Sequence, residues 1–167
     1  WTVLEQGEDV ITLLVDGDTL FAAGKNGAFE RTLAASDTTA FKSITNDPPF
    51  TYVKALAADD SGGLWIGHEN GLTRIDGTER RTWTEAGLTL LSGSTIEVVT
   101  PIRESVSALA EGADGTIWIG TNAAPRGGLY RYDVVNKRAT LFATTNGLPH
   151  NSVCEIRPDG ETGVLVA

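Results

Sequence analysis

Apolar and polar residues alternate along this chain in short bursts, each closed by a turn rich in glycine or aspartate. The clearest burst is Thr116-Ile117-Trp118-Ile119-Gly120-Thr121. It is led in by Asp114-Gly115 and followed by Gly127-Gly128-Leu129-Tyr130-Arg131-Tyr132-Asp133. Period-two alternation bounded by turn residues predicts β-strands, and no useful window carries the period of a helix. The passage recurs as Gly62-Gly63-Leu64-Trp65-Ile66-Gly67-His68 with Gly71-Leu72-Thr73-Arg74-Ile75-Asp76. A weaker copy is Asp18-Thr19-Leu20-Phe21-Ala22-Ala23-Gly24 with Gly27-Ala28-Phe29-Glu30-Arg31, and a last one is Gly163-Val164-Leu165-Val166-Ala167. With Phe21, Trp65, Trp118 and Leu165 as markers, the spacings are 44, 53 and 47 residues. A repeat of roughly 40–50 residues built from short strands is the signature of propeller blades. The expected fold is all-β, a β-propeller of four-stranded antiparallel blades, with about three and a half blades in 167 residues.

In chain order, residues 1–5 read as the last strand of a preceding blade. Strands at 10–15, 20–23, 28–33 and 40–44 form the first full blade, ended by Asn46-Asp47-Pro48-Pro49, because proline cannot donate to a sheet ladder. The second blade takes 52–57, 64–67, 72–76 and 81–84. A long connection over 88–104 accounts for the 53-residue spacing, and its β-branched run Thr95-Ile96-Glu97-Val98-Val99-Thr100 has room for a strand. The third blade runs from 106–109 to 139–142, and the segment from Asn146 to Val153 opens a fourth with two strands. The blades fall near 6–49, 50–103, 104–149 and 150–167 of a single domain. Propellers close with 4–8 blades. The chain therefore reads as partial, its ring completed by another chain segment or a second copy, unless an unusually small ring closes. Starting on Trp1 and lacking methionine, it also reads as a processed or excerpted chain.

Composition narrows the picture. Apolar residues make up 41% and charged residues 21%, which suits a globular chain with a sizeable core. The formal charge is −9 and the thirteen Lys and Arg are scattered, which excludes a basic face for nucleic acid. No apolar run reaches the length of a membrane span, and no signal-peptide pattern is present. The single cysteine, Cys154, can form no internal disulfide and reads as a small buried hydrophobe within an alternating strand.

In an up-and-down blade, the loop joining the second and third strands shares one rim with the connection between blades. Loops on a rigid scaffold are where function concentrates. The candidate ligand-binding residues on this rim are His68, Glu69, Asn70, Asn122, Arg126, His150 and Asn151. His68, Glu69 and His150 are types that bind metals or exchange protons. They lie in different blades with no supporting spacing, so they read first as rim polar residues. The Arg126 fork suits a carboxylate or sulfate. The Asp-Gly turns lack the carboxylate ladder of a calcium loop. No Ser-His-Asp order, phosphate loop or zinc spacing appears. No cofactor or metal is expected, and no catalytic residue is assigned. Trp65 and Trp118 read as core between blades, with Trp1 and Trp83 nearer an edge.

The stretch from Asp114 to Thr121, with Gly127 to Asp133, Asn146-Gly147-Leu148-Pro149 and Asn151-Ser152-Val153, resembles the two-component regulator propeller repeat. Leu64-Trp65-Ile66-Gly67 with Gly71-Leu72 resembles it less fully, and is similar too to streptogramin (virginiamycin B) lyase blades. The regulator resemblance implies a non-enzymatic sensor or binding propeller, periplasmic or extracellular, taking an oligosaccharide, another small ligand or a protein partner. The alternatives are a streptogramin-type lyase using His68 or His150, and a structural propeller that only binds protein.

Overall fold

The computed structural model describes residues 9–33, 40–44, 52–77, 79–84, 87–90, 104–122, 125–160 and 163–167. Its strands form four antiparallel sheets, each a run of consecutive strands.

The first sheet contains β1 (Val10–Asp16), β2 (Thr19–Gly24), β3 (Gly27–Thr32) and β4 (Lys42–Ser43), in that order. Gly17, with φ of 53°, makes the β1–β2 turn, a left-handed conformation that glycine adopts without a Cβ penalty. The predicted fourth strand over 40–44 shortens to two residues. The second sheet contains β5 (Val53–Ala58), β6 (Leu64–His68), β7 (Gly71–Asp76), β8 (Glu79–Thr84) and β9 (Gly87–Leu90). β9 departs from the expected plan. Where the sequence suggested that a connection begins, Leu88 pairs with Trp83 and a fifth strand extends the sheet outward. The third sheet is β10 (Val106–Glu111), β11 (Ile117–Thr121), β12 (Leu129–Asp133) and β13 (Arg138–Phe142). A short 3-10 turn at Thr144–Asn146 leads to the last sheet, β14 (Ile156–Asp159) and β15 (Gly163–Val166). The strand read at 1–5, the break at 46–49 and the strand read at 95–100 lie outside the described residues.

These sheets are partial propeller blades: the first strands β1, β5, β10 and β14 lie beside one another in succession, so each sheet packs face to face on the next. A single device recurs at each contact. In β1, β5 and β10 the register slips just after a valine, at Val10, Val53 and Val106. Val106 then packs over Gly67 of the preceding sheet, and Val153 over Gly120; a Cβ on either glycine would lie 2.5 or 2.7 Å from the valine methyl. At the first contact the small residue is Ala23, clustered with Val53.

Three apolar clusters fill the spaces between sheets. Ala23, Ala28, Val53, Leu56 and Ile66 join the first pair. Trp65 and Leu72 meet Val106, Ile117, Ile119 and Tyr130 in the second. Trp118, Leu129, Val153 and Ile156 form the third. The expected interior roles of Trp65 and Trp118 hold, at 0% and 8% exposure. Cys154 does not follow its expectation: it is exposed and lies before the first strand of the last sheet. Val153 points inward against the third sheet, and the next residue of an extended chain points the other way.

Candidate functional site

The two ends of the sheet stack differ in how their polar residues are used. At one end lie the turns joining first to second strands; at the other lie the loops joining second to third strands, with the connections between sheets.

At the first end, Asp59 organises the turn before β6. Its Oδ1 accepts from the Ser61 amide (3.1 Å), the Ser61 hydroxyl (2.6 Å) and the Gly63 amide (2.8 Å). Its Oδ2 accepts from Trp65 Nε1 and Arg74 Nε, both at 2.8 Å. Burial pushes the Asp59 carboxyl up, but donation from Arg74, Ser61, Gly63 and Trp65 outweighs it and holds the group well below the usual carboxylate range. Arg74 also lies over the Trp65 ring, 5.7 Å from its centroid. One repeat later, Gly112 stands where Asp59 stood. Asp114 takes over by accepting from the Thr116 hydroxyl at 2.6 Å and from Arg131. The Thr116 hydroxyl, then Arg131, hold its carboxyl down at about 2. The two turns also meet: Glu111 of β10 accepts from the Asp60 amide at 2.9 Å. Burial, with the charges of Asp60, Asp59 and Asp16 nearby, pushes Glu111 up.

These networks were not singled out from the sequence. The signal was present in the Leu-x-Arg-x-Asp pattern shared by Leu72 to Asp76 and Leu129 to Asp133. Their side chains are directed into their own sheets, which marks them as architecture.

The opposite end carries the seven candidate residues, and the structure separates them. His68 is the last residue of β6 and is 2% exposed, with Nε2 3.1 Å from Thr73 Oγ1. It is therefore part of the interior rather than of the rim surface. Two residues on from Ile66, it falls on the same strand face as Leu64 and Ile66, the face packed on the first sheet. Burial lowers its pKa to about 4, so it is neutral at pH 7. Glu69 and Asn70 form the exposed turn that follows.

Asn122, His150 and Asn151 are brought together, and Arg126 lies on the loop they hold. Asn122 bridges to Ser152, whose hydroxyl donates to Asn122 Oδ1 at 2.5 Å. Asn151 Nδ2 donates to the Pro125 carbonyl, and its Oδ1 accepts from the Thr144 amide, both at 2.7 Å. His150 Nδ1 accepts from the Ser152 amide at 3.0 Å, which leaves its proton on the outward Nε2. On the other side of the loop, Thr121 Oγ1 accepts from the Gly128 amide at 2.9 Å. The loop between β11 and β12 is thus pinned at both feet, and Arg126 is exposed between them. A similar tie runs between earlier sheets, where Lys54 Nζ donates to Ser105 Oγ at 2.9 Å and the Asn122 amide donates to the Ser105 carbonyl. The shared rim read from strand order is present.

No group of three or more His, Cys, Asp or Glu with metal-binding geometry occurs among the described residues. Among them, too, no helix is long and apolar enough to cross a membrane.

The stacked four-stranded sheets and the shared loop rim define a segment of a β-propeller. Residues 102–123 match the model of the two component regulator propeller repeat, the stretch containing Asp114 to Thr121. No curated protein matches the sequence. Among solved structures, one similar chain is named as the extracellular domain of hybrid two component system BT3049 from B. thetaiotaomicron. It has a TM-score of 0.69 at 17% identity, over 99% of this chain and 22% of that one. The extracellular domain of BT4673 from the same organism gives 0.53 at 20% identity, over 95% and 26%. PorZ, a surface component of the type-IX secretion system of Porphyromonas gingivalis, gives 0.67 at 13%, over 95% and 24%. The chain spans about a quarter of the length of these proteins, and at such identities the likeness is one of fold.

Proposed function

We propose that this chain is part of an extracellular, non-enzymatic sensing propeller. It binds a small polar ligand on the rim formed by the β11–β12 loop and the segment entering the last sheet. The observation that carries this reading is the loop bearing Arg126. It is held at Pro125 by Asn151 and at Gly128 by Thr121, so an exposed guanidinium is presented on a fixed backbone. Binding groups held in place before the ligand arrives lose little entropy on complex formation. A planar guanidinium suits a carboxylate or sulfate, and the outward Nε2–H of His150 adds a neutral donor. An acidic oligosaccharide carries both kinds of acceptor. The regulator-propeller match and the likeness to extracellular domains of hybrid two component systems support sensing and an extracellular setting.

A thermal-shift screen of neutral, uronic-acid and sulfated oligosaccharides tests the reading, because a ligand binding only the native state raises its melting temperature. At least one anionic sugar should raise Tm, and Arg126→Ala should remove the shift without lowering the unliganded Tm. No shift across the panel, or a shift unchanged in Arg126→Ala, would contradict it.

A further inference from the structure

The repeat also defines an interaction surface, separate from whatever the rim binds. Register places equivalent residues in every sheet. Opposite the markers Phe21, Trp65, Trp118 and Leu165 stand Leu14, Ala57, Ala110 and Arg157. One residue earlier in each first strand come Leu13, Leu56, Leu109 and Ile156, and three earlier still come Val10, Val53, Val106 and Val153. Two residues beyond each marker the side chain is small: Ala23, Gly67, Gly120 and Ala167.

These positions are the two halves of the contact between sheets. Val53, Val106 and Val153 are at most 2% exposed and pack on the preceding sheet. Leu56, Leu109 and Ile156 join the same clusters. Trp65 and Trp118 cover the following sheet from the other side. The pattern fails at two places, one at each end of the stack. Val10 and Leu13 on β1 are 41% and 63% exposed, with Ile11 and Val15 exposed beside them. At the far end the marker Leu165 is 60% exposed, and the small residue after it, Ala167, is open. The first sheet presents the valine-and-leucine half of the contact, and the last sheet presents the marker-and-small-residue half.

We propose that these two faces bind each other between two copies of this chain. Val10 and Leu13 of one copy pack on Ala167 and Leu165 of its partner, head to tail, as Val153 and Ile156 pack on Gly120 and Trp118 within one chain. Done reciprocally, this closes two stacks of four described sheets about a twofold axis. The eight sheets that result lie within the range in which propellers close. The joint has the chemistry of the internal contacts and needs no new kind of partner. A head-to-tail joint is heterologous, so damage to either half abolishes it, and complementary damaged chains can still make one intact joint.

Native mass in dilute buffer reads this directly. The unmodified chain, 17.7 kDa as a monomer, should run at twice that mass. Leu13→Lys and Leu165→Lys should each run as monomers. Both positions are exposed in the single chain, so an unchanged β-sheet circular dichroism spectrum is expected and confirms folding. An equimolar mixture of the two variants should regain the doubled mass, through the joint that retains Leu13 and Leu165. A monomeric unmodified chain overturns the proposal, as does a dimer that persists in either variant. Failure of the mixture to recover overturns the head-to-tail arrangement.

Discussion

Trp65 donates its indole proton to Asp59 Oδ2 at 2.8 Å, across a turn that the same carboxylate also closes through the Ser61 and Gly63 amides. One acidic side chain thus fixes the turn, the marker tryptophan and, through Arg74, the next strand. Asp59→Ala leaves the Arg74 guanidinium, itself 8% exposed, without its buried counter-charge. Breaking a buried pair from one side costs about 3–5 kcal/mol. Asp76, half exposed and 2.9 Å from Arg74, retains part of the pairing, so a loss of about 3 kcal/mol is expected in urea unfolding followed by tryptophan fluorescence. Asp59's depressed carboxyl stabilises the fold fully above the ordinary Asp pKa of about 3.9, and that contribution fades as pH falls below it.

His68 gives the fold an acid dependence of opposite origin. Its folded pKa lies at about 4 and its ordinary value near 6.5. Above pH 6.5 both folded and unfolded forms are neutral, and the residue contributes no slope. Between 6.5 and 4 the unfolded chain takes up a proton that the folded chain refuses, so stability falls, by roughly 3 kcal/mol in all. His68→Gln keeps a polar group near Thr73 and removes the proton. Its unfolding free energy should be flatter than the parent's from pH 6.5 to 5, and parallel curves would sink this assignment.

The valine-on-glycine contact sets the spacing between sheets. Gly120→Ala places a methyl 2.7 Å from a Val153 methyl, and overpacking of this kind costs about 1–3 kcal/mol. Val153→Ala in the same chain makes room, so the double variant should lose less than the sum of the two single changes. A urea double-mutant cycle measures the coupling. Strict additivity would show that the residues do not meet.

Asn151 is a latch. Asn151→Leu removes the acceptor of the Thr144 amide and the donor to Pro125, each bond contributing about 1 kcal/mol. Hydrogen exchange at the Thr144 amide should accelerate at least tenfold, while exchange in β11 stays unchanged.

The repeat was legible because its marks are local: an aromatic or large residue in an alternating strand, glycine turns on either side, and a spacing set by four strands. Strand ends fell within a few residues for the same reason. β9 was missed because Gly87 to Leu90 is a short alternating stretch that becomes a strand only by pairing with β8. The burial of His68 could have been read by counting two residues on from Ile66. Its place in a turn-like Gly-His-Glu-Asn run obscured the count. That the loop rim is shared followed from strand order. Which of its polar groups bind one another did not, because Asn151 and Pro125 are 26 residues apart and no local pattern links them. Cys154 shows the limit of alternation, since a residue beside a buried valine faces the other way and its surroundings depend on what covers that side.

The central claim is that the rim carrying Arg126 and His150 is the binding face. The most direct test is amide chemical-shift mapping with the anionic sugar that gives the largest thermal shift. Perturbations should cluster at Asn122, Arg126, His150 and Asn151. Perturbations gathered instead at Asp60, Asp114 and Asn136, on the opposite end of the stack, would contradict the account.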